Sequence, residues 1–328
     1  HPSNPGIVIG GTQDNGTNIL NPGLETPPAW FHADFGDGGQ AFIDQSNPER
    51  MLHTYYNSAF LFMGPAKSTI GGAGGPGSWE FVGSYYGYGT YYYNGMDPTD
   101  PVSFYAPLAQ HPAYSPNVVY FGSNKLYRSP DPQPPFGVES WTAVSPALTK
   151  DPTDYGAYLS AIGVFPNLVA GQEVLYTGAS DGRIAVSKNV TPTATAATAV
   201  WTVIDKAPLP ARFVTDIEVA ESDATGNTAY VTFSGFNSGT PTTPGHVFKT
   251  TNGLSAAPTW TDITGDLPDV PANAVALLPT ATGDEILVGT DIGVFWSDNG
   301  GTSWRYLNDG HPAVAVFALD RSRTTGQV

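Results

Sequence analysis

Three aspartates near the start of the chain have the residue type and the glycine-rich surroundings of a cation site. Asp14 follows a short apolar run that ends at Thr12, and Asp34 and Asp37 follow a second run. Glycines beside them let the backbone turn tightly, so several oxygens can converge. Calcium takes about six to eight oxygen ligands, including backbone carbonyls. We therefore expect Ca²⁺ at Asp14, Asp34 and Asp37, with the capping of tight turns as the alternative role of these residues.

Carboxyl pairs are also the groups that hydrolyse glycosidic bonds. One carboxyl protonates the leaving oxygen and the other acts as base or nucleophile, at separations of about 6.5–9.5 Å or about 5–5.5 Å. Asp34, Asp37, Asp181 and Asp291 all follow short apolar runs and are the candidates for such a pair. If the loops that carry them meet around a common opening, they indicate a hydrolase that acts on neutral polysaccharide.

A tyrosine-rich segment supplies a different kind of chemistry. Residues 85–95 contain six tyrosines and no charged residue, and Tyr88, Tyr91 and Tyr92 lie in this segment. Exposed tyrosine rings would stack on sugar rings or contact a protein partner, whereas buried rings would only fill space within the fold. The segment indicates a binding surface, with internal packing left open as the alternative.

The elements that must position these residues repeat along the chain. Six of the seven tryptophans begin short strands, and they are Trp30, Trp79, Trp141, Trp201, Trp260 and Trp304. Further strands precede each of them, so the repeating unit has four strands, A to D, with the tryptophan in strand D. Four-stranded units that recur every 40–60 residues or so are typical of β-propellers. We predict an all-β fold, a six-bladed β-propeller of four-stranded antiparallel blades, formed by residues 1–328 as a single domain.

The two ends of the chain complement each other. The first unit begins at strand B, and residues 313–319 have the apolar pattern of a strand A with no strand B after it. We expect this C-terminal strand to complete the first blade and close the ring, which removes the open sheet edges. The alternatives are a seventh blade or a chain that is a fragment of a larger propeller protein.

One segment carries a family resemblance. Ser297-Asp-Asn-Gly-Gly-Thr-Ser-Trp304 resembles the Asp-box, with Asn299 in place of the aspartate, Ser303 in place of the threonine, and Gly301 and Trp304 matching. Weaker copies end at Trp141, Trp201 and Trp260. The chain thus resembles Asp-box (BNR-repeat) propellers, a group that includes sialidases and secreted bacterial BNR-repeat proteins. The resemblance implies that the box forms the turn between strands C and D, away from the ligand site.

The opposite face is expected to bind the ligand. It is formed by the D–A and B–C loops, which carry the aspartates and the tyrosine segment, together with Gln13, Asn15, Arg183 and Arg212. Sialidases clamp a carboxylate with three arginines, because guanidinium forks match its geometry. Only Arg183 and Arg212 of the seven arginines lie on the predicted ligand face. The sequence therefore argues against a sialidase.

The amino-acid composition argues against further classes of protein. The net charge of −16, from 29 acidic and 13 basic residues, opposes binding to nucleic acid. No apolar run is long enough to span a membrane, and without cysteine there is no disulfide framework. The chain begins at His1 without a methionine or signal peptide. We expect a processed protein that works outside the cell or at its surface.

Two functions follow from these observations. We favour a non-catalytic binding or scaffold module, whose partner at the D–A/B–C face is a glycan or a protein, or which forms part of a surface assembly. A glycoside hydrolase that acts on neutral polysaccharide is the alternative.

Overall fold

The computed structural model describes residues 1–25, 27, 29–114, 117–131, 140–281, 283–307, 310, 312–322 and 326–328. The described residues form strands and one short 3₁₀ turn at Asn237–Gly239, and none of them belongs to a helix long and apolar enough to cross a membrane. In chain order the strands are β1 (Val8–Thr12), β2 (Gly16–Leu20), β3 (Trp30–Asp34), β4 (Ala41–Ile43), β5 (Met51–Thr54), β6 (Phe62–Met63), β7 (Pro65–Ser68), β8 (Glu80–Phe81), β9 (Ser84–Gly87), β10 (Thr90–Tyr92), β11 (Leu108–His111), β12 (Val118–Gly122), β13 (Leu126–Ser129), β14 (Thr142–Ala143), β15 (Leu159–Val164), β16 (Glu173–Ala179), β17 (Ile184–Val190), β18 (Trp201–Val203), β19 (Val214–Val219), β20 (Ala229–Phe233), β21 (Val247–Thr250), β22 (Thr261–Asp262), β23 (Ala272–Thr280), β24 (Gly283–Thr290), β25 (Gly293–Ser297) and β26 (Arg305–Leu307).

The strands form consecutive antiparallel meanders. Sheet 1 has three strands, β1 to β3, and the next five sheets have four strands each, in the order A-B-C-D. Sheet 2 contains β4, β5, β7 and β8, sheet 3 contains β11 to β14, and sheets 4, 5 and 6 follow in blocks of four. A small extra sheet of β6, β9 and β10 is inserted at sheet 2. The prediction of four-stranded antiparallel units is confirmed.

The hydrophobic core is divided among the contacts between neighbouring sheets, which we call seams. One cluster of buried side chains joins sheets 1 and 2, and each of the other four clusters joins the next pair along the chain. The middle strands are therefore covered on both sides, and every residue of β12, β16 and β20 is buried. This explains why these strands have nearly continuous apolar runs in place of an alternating pattern.

The periodic tryptophans explain how the sheets are held in register. In each of five seams, the indole N–H donates to a backbone carbonyl that lies three residues after the tryptophan of the preceding sheet. The bonds are Trp79 to Ala33 at 2.9 Å, Trp141 to Val82 at 3.0 Å, Trp201 to Val144 at 2.9 Å, Trp260 to Ile204 at 2.8 Å and Trp304 to Ile263 at 3.2 Å. Trp30 of sheet 1 makes no such bond among the described residues, and 56% of it is exposed.

The C-terminal segment lies beside sheet 6 but is not part of a strand. The Val316 N–H donates to the Thr290 carbonyl at 2.9 Å. A Cβ on Gly289 would lie 2.9 Å from the Val316 side chain, much as one on Gly178 would touch Val214 of the following sheet. Val316 thus lies where the inner strand of a further sheet would begin. Within the described residues this segment does not pair with β1, so completion of the first sheet by residues 313–319 stays a prediction.

Candidate functional site

One face of the sheets collects the predicted ligand-binding loops. The B–C loop of each sheet lies against a D–A loop, and backbone hydrogen bonds join them. Examples are Gly38 N–H to the Thr12 carbonyl at 3.1 Å, Ser180 N–H to the Tyr158 carbonyl at 2.9 Å and Ser234 N–H to the Phe213 carbonyl at 3.0 Å. We call this the loop face. These bonds hold the backbone that carries the candidate side chains.

Aromatic side chains dominate the loop face around sheets 1 to 3. We define the aromatic platform as the cluster of rings from three separate loops, namely Phe35, Tyr55, Tyr56, Phe62, Phe104 and Tyr105. Phe35, Tyr56, Phe104 and Tyr105 are exposed, whereas Tyr55 and Phe62 are partly buried beneath them. Exposed aromatic rings that lie close together form an apolar patch, and such patches on a surface are candidates for interaction sites.

The rings of the platform have definite geometry. The ring centroids of Tyr56 and Phe104 are 5.5 Å apart with planes inclined at 26°, and Phe104 meets Tyr105 edge-on at 4.9 Å. Tyr55 lies 6.3 Å from Phe35 and 5.8 Å from Phe62. Offset and edge-to-face contacts at these distances are the favourable arrangements of aromatic pairs. The platform is therefore packed before any ligand arrives.

A buried polar network fixes Tyr55 from below. Its hydroxyl donates to Oδ2 of Asp34, and the same oxygen accepts a bond from His53 Nε2 at 3.0 Å. Oδ1 of Asp34 accepts the N–H groups of Phe35 at 3.0 Å and Gly77 at 3.3 Å. Burial works to raise the pKa of Asp34, but the bonds from His53 and Tyr55 outweigh it and hold this pKa below its ordinary value. Asp34 stays ionised and positions both partners.

The predicted calcium ligands are not arranged as a cluster. Asp34 is fully buried in the network just described, while Oδ1 of Asp37 accepts the backbone N–H of Asp14 at 3.0 Å. Among the described residues, no group of three or more His, Asp or Glu side chains is arranged to hold a metal. The Asp34 carboxylate is turned inward to His53, and the structure does not bring it together with Asp14 and Asp37. Calcium binding at Asp14, Asp34 and Asp37 stays a prediction.

The carboxyl groups predicted as candidates for hydrolysis make different hydrogen bonds in the structure. Asp34 has no exposure to solvent, so it cannot reach a substrate. Asp181 accepts the backbone N–H of Lys150 at 2.5 Å and of Arg183 at 3.0 Å, and Asp291 accepts from the Asn273 amide at 2.9 Å. These bonds match the alternative interpretation, in which the acids cap turns.

Asp37 is the candidate that adjoins the platform. It is partly exposed, and Tyr105 has a raised pKa because of partial burial first and then the carboxylates of Asp37 and Asp14. Both carboxylates therefore act electrostatically on the Tyr105 hydroxyl, at the polar edge of the aromatic surface.

The remaining predicted ligand-face residues make local contacts. The Arg212 guanidinium donates to the Gly245 carbonyl, and Arg183 Nε lies 3.8 Å from an oxygen of Asp205. Gln13 and Asn15 are exposed, and the Asn15 amide donates to the Gln13 carbonyl at 2.9 Å. The two arginines thus belong to loops of sheets 4 and 5, and each contacts another residue of the fold.

The tyrosine segment forms a hairpin at the extra sheet. Strands β9 and β10 pair as Tyr85 with Tyr92 and Tyr86 with Tyr91, and β9 also pairs with β6. Tyr88 lies at the tip and is fully exposed, Tyr92 is exposed, and Tyr91 is partly buried. We call residues 84–93 the tyrosine hairpin. Tyr86, Tyr88, Tyr92 and Tyr93 of the hairpin are exposed, whereas Tyr85 is partly buried and packs near Phe81 of sheet 2.

The segment that carries the family resemblance forms the turn between β25 and β26, as expected. Asn299 accepts the Ser303 N–H at 3.0 Å, the Ser297 hydroxyl accepts the Gly301 N–H at 2.9 Å, and Trp304 packs into a seam. The turns before Trp201 and Trp260 repeat this pattern, with Asn189 and Asn252 accepting the corresponding N–H groups at 2.8 and 2.9 Å. The copy before Trp141 lies largely outside the described residues. In these turns the asparagine side chains bond to backbone N–H groups of the turn itself and so hold its shape.

Most of the platform could not be recognised from the sequence. Phe35, Tyr56, Phe104 and Tyr105 are not among the candidates named above, and the run 102–106, which contains Phe104 and Tyr105, has the apolar pattern of a strand. In the structure these four residues lie outside the strands, where an aromatic ring has no core position to fill.

Comparison with known proteins bears on the fold. No family model matches the chain, and no curated protein does. Among solved structures, the GH74 enzyme of Niastella koreensis superposes with a TM-score of 0.56 at 17% identity, over 93% of this chain and 44% of that enzyme. An ancestral GH74 enzyme gives a TM-score of 0.58 at 16% identity, over 93% and 40%. The β-propeller domain of Cps50 (Swd1) from Myceliophteria thermophila gives 0.52 at 14%, over 94% and 84%.

These likenesses concern architecture. The chain spans less than half the length of either GH74 enzyme but most of the Cps50 propeller domain. At such low identity the superpositions report the path of the backbone, and functions differ widely among proteins that share a propeller. Together with the consecutive four-stranded meanders, they show that this chain has a β-propeller fold.

Proposed function

We propose that this chain is a non-catalytic binding module that holds a neutral polysaccharide on the aromatic platform. The observation that carries the proposal is the set of exposed rings Phe35, Tyr56, Phe104 and Tyr105 on one face. The C–H groups on the flat side of a sugar ring are apolar and slightly positive, so they pack well on the negative face of an aromatic ring. The buried Asp34–His53–Tyr55 network keeps this surface preorganised, which lowers the entropy cost of binding.

The charge of the chain supports a neutral ligand. The net charge is −16, and Asp14 and Asp37 adjoin Tyr105 at the edge of the platform. An acidic glycan or a nucleic acid would be repelled. Sugar hydroxyls, in contrast, are donors that carboxylates accept well. The aromatic centre is thus complementary to the apolar C–H face of a neutral sugar, and the acidic edge is complementary to its hydroxyl groups.

A hydrolase is the second candidate, favoured by the two GH74 enzymes among the structural neighbours. In that case Asp37 would act at the edge of the platform together with a second carboxyl. The fully buried Asp34 does not supply it. Product analysis after incubation with neutral polysaccharides separates the candidates: released sugar that disappears in Asp37→Asn indicates hydrolysis, and binding without product indicates a module that only binds.

We also propose, together with this function, six blades in an Asp-box propeller that works outside the cell or at its surface. Ring closure would pair residues 316–321 with β1. Burial lowers the pKa of the His1 ammonium and the Asp320 carboxylate opposes this shift, so the end of the C-terminal segment lies near the start of β1. The register of sheet 4, in which Ile162 pairs with Thr177, would then place Leu319 opposite Gly10.

The binding proposal is tested by affinity electrophoresis in gels that contain hydroxyethyl cellulose, glucomannan, xyloglucan, starch or dextran, with polygalacturonate as the acidic comparison. We expect retardation in at least one neutral gel and none in polygalacturonate. Tyr105→Ala and Tyr56→Ala should abolish the retardation. Tyr306→Ala is the matched control, since Tyr306 is equally exposed but lies on the outer strand β26. If both platform variants are still retarded, the proposal is contradicted.

A further inference from the structure

The tip of the tyrosine hairpin has a conformation that its residues do not favour. Tyr88 has φ of 51° and the following Gly89 has φ of 82°, so both central residues of this two-residue turn are left-handed. Such turns are usually formed by Asn-Gly or Asp-Gly, because a bulky residue is strained there. The Tyr88 ring is fully exposed, so no packing within the chain offsets the strain. An aromatic ring kept at a strained, exposed tip points to contact with a ligand.

The rest of the hairpin presents aromatic rings on both of its sides. Tyr85 and Tyr92 stack at 4.6 Å with planes inclined at 13°, and Tyr86 and Tyr91 lie 4.9 Å apart. The base of the hairpin is firmly anchored, since Ser84 Oγ accepts the Asn94 N–H at 2.9 Å and donates to the Met96 carbonyl at 2.8 Å. The hairpin is therefore held firmly at its base, while its tip is exposed to solvent.

Ring contacts connect the hairpin to the aromatic platform. Tyr85 lies 6.1 Å from Phe81, and Phe81 stacks on Phe62 at 4.0 Å with planes inclined at 23°. Phe62 belongs to the platform and touches Tyr56 at 6.0 Å. A series of ring contacts thus runs from the hairpin to the platform through Tyr85, Phe81 and Phe62, which are partly buried.

The chemistry of the hairpin matches that of the platform. No charged residue occurs between Glu80 and Asp97, in a chain with a net charge of −16. The surface therefore offers aromatic rings and phenolic hydroxyls, which can stack on and hydrogen-bond to an uncharged sugar chain. A basic partner would find no charge to pair with here.

We propose that the tyrosine hairpin is an arm that extends the platform, so that the ligand is a long neutral polysaccharide chain. This inference rests on the proposed function. Short oligosaccharides fill the platform alone, and only longer chains reach the tyrosines. A polymer already held on the platform meets the hairpin at a high effective concentration, so affinity rises with chain length until the arm is covered.

The test is calorimetry with oligosaccharides of about three and about nine sugars, prepared from the polysaccharide that retards the wild type most, and with that polysaccharide itself. The arm variant is Tyr86→Ser/Tyr88→Ser/Tyr92→Ser, and the platform variant is Tyr105→Ala. We expect the arm variant to bind the polymer about tenfold more weakly while its affinity for the three-sugar ligand stays unchanged. The platform variant should lose affinity for every length.

Each outcome decides a different question. If the arm variant binds the polymer with wild-type affinity, or loses equal affinity for short and long ligands, the hairpin is not an extension of the binding surface. The proposal that the platform binds the polysaccharide would remain valid in either case. A wild type that binds no neutral polysaccharide removes the proposed function, and the arm with it.

Tyr88→Asn keeps the hairpin folded, because asparagine suits the left-handed turn. We expect this variant to melt at a higher temperature than the wild type and to bind the polymer more weakly. Weaker binding with a lower melting temperature would indicate a structural role for Tyr88 and overturn its role in the arm. A change in oligomeric state, measured by light scattering, would instead assign the hairpin to contacts between copies of the chain and overturn the proposal.

Discussion

The five seams between consecutive sheets differ from the proposed closing seam between sheet 6 and sheet 1. Each of the five has a cluster of buried side chains and a tryptophan whose indole N–H bonds to the preceding sheet. Trp30 of sheet 1 is 56% exposed, and among the described residues no buried cluster joins sheet 6 to sheet 1. A ring closed at this seam would be uneven in stability, and local opening should begin where the least apolar surface is buried.

The largest effect should come from removing an interior tryptophan. Trp141 is 2% exposed and donates to the Val82 carbonyl, which also accepts from the Asn94 amide, so Trp141→Ala leaves a cavity and removes one of the two bonds to that carbonyl. We expect a loss of about 3–5 kcal/mol in the free energy of unfolding. Trp30→Ala should cost only about 0.5 kcal/mol, as an exposed substitution does. Urea unfolding measures both, and equal losses would show that the closing seam is packed like the others.

The next largest effect is expected from an engineered disulfide across the proposed closing seam. Because the chain has no cysteine of its own, any disulfide that forms must join the two introduced residues. A Cβ at Gly10 would meet no atom within 4 Å, and the proposed closure places Leu319 opposite. Gly10→Cys/Leu319→Cys should form an intramolecular bond that stabilises the oxidised protein by about 2–4 kcal/mol. The control is Gly10→Cys/Ala315→Cys, which is out of register. Covalent dimers, or equal bonding in both pairs, would contradict closure within one chain.

A smaller loss should follow from breaking the polar network in the seam between sheets 1 and 2. Asp34→Asn removes the charge that holds His53 and Tyr55, and we expect it to cost about 1–3 kcal/mol at pH 7. The pKa of Asp34 is lowered in the folded state from its ordinary 3.8. Its contribution is therefore complete above pH 4 or so and is lost as the pH falls through the lower folded value.

Melting curves of wild type and Asp34→Asn between pH 2.5 and 7 would measure this difference. The two should converge at the acid end. A difference that grows toward low pH would contradict the assignment, because it would mean that the folded protein favours the protonated aspartate.

The smallest effect should come from chelation. Only Asp14 and Asp37 of the predicted calcium ligands face solvent, and Asp37 already accepts the Asp14 N–H. Two carboxylates supply too few oxygens for tight calcium binding. We expect EDTA to change the melting temperature by no more than about one degree. A drop of many degrees that added calcium reverses would show a metal site that other loop oxygens complete.

The repeat and the seams could be predicted for the same physical reason. Each of the five seams uses a tryptophan at the same point of strand D, so one residue type marks the phase of all units. The tyrosine hairpin was visible because its rings are contiguous in sequence. The turn at Ser297–Trp304 was visible because its hydrogen bonds join residues only two to four positions apart.

The aromatic platform and the fate of Asp34 could not be predicted in that way. Phe35, Tyr56 and Phe104 come from three loops, and only the packing of sheets 1 to 3 brings their rings together. Asp34 turns inward because His53 and Tyr55, on the next sheet, receive its carboxylate. Contacts between residues on different sheets leave no local pattern, so the sequence marks Asp34 only as one more acid near a glycine.

The uniform offset of the tryptophan bonds has a consequence for how such a ring changes over generations. Each of the first five units offers the next one the same acceptor, a carbonyl three residues past its own tryptophan, and each of the last five units brings the same donor. A duplicated unit would therefore fit between two existing neighbours and form both junctions. No individual junction limits the number of units, so under the proposed closure only the closing strand would set that number.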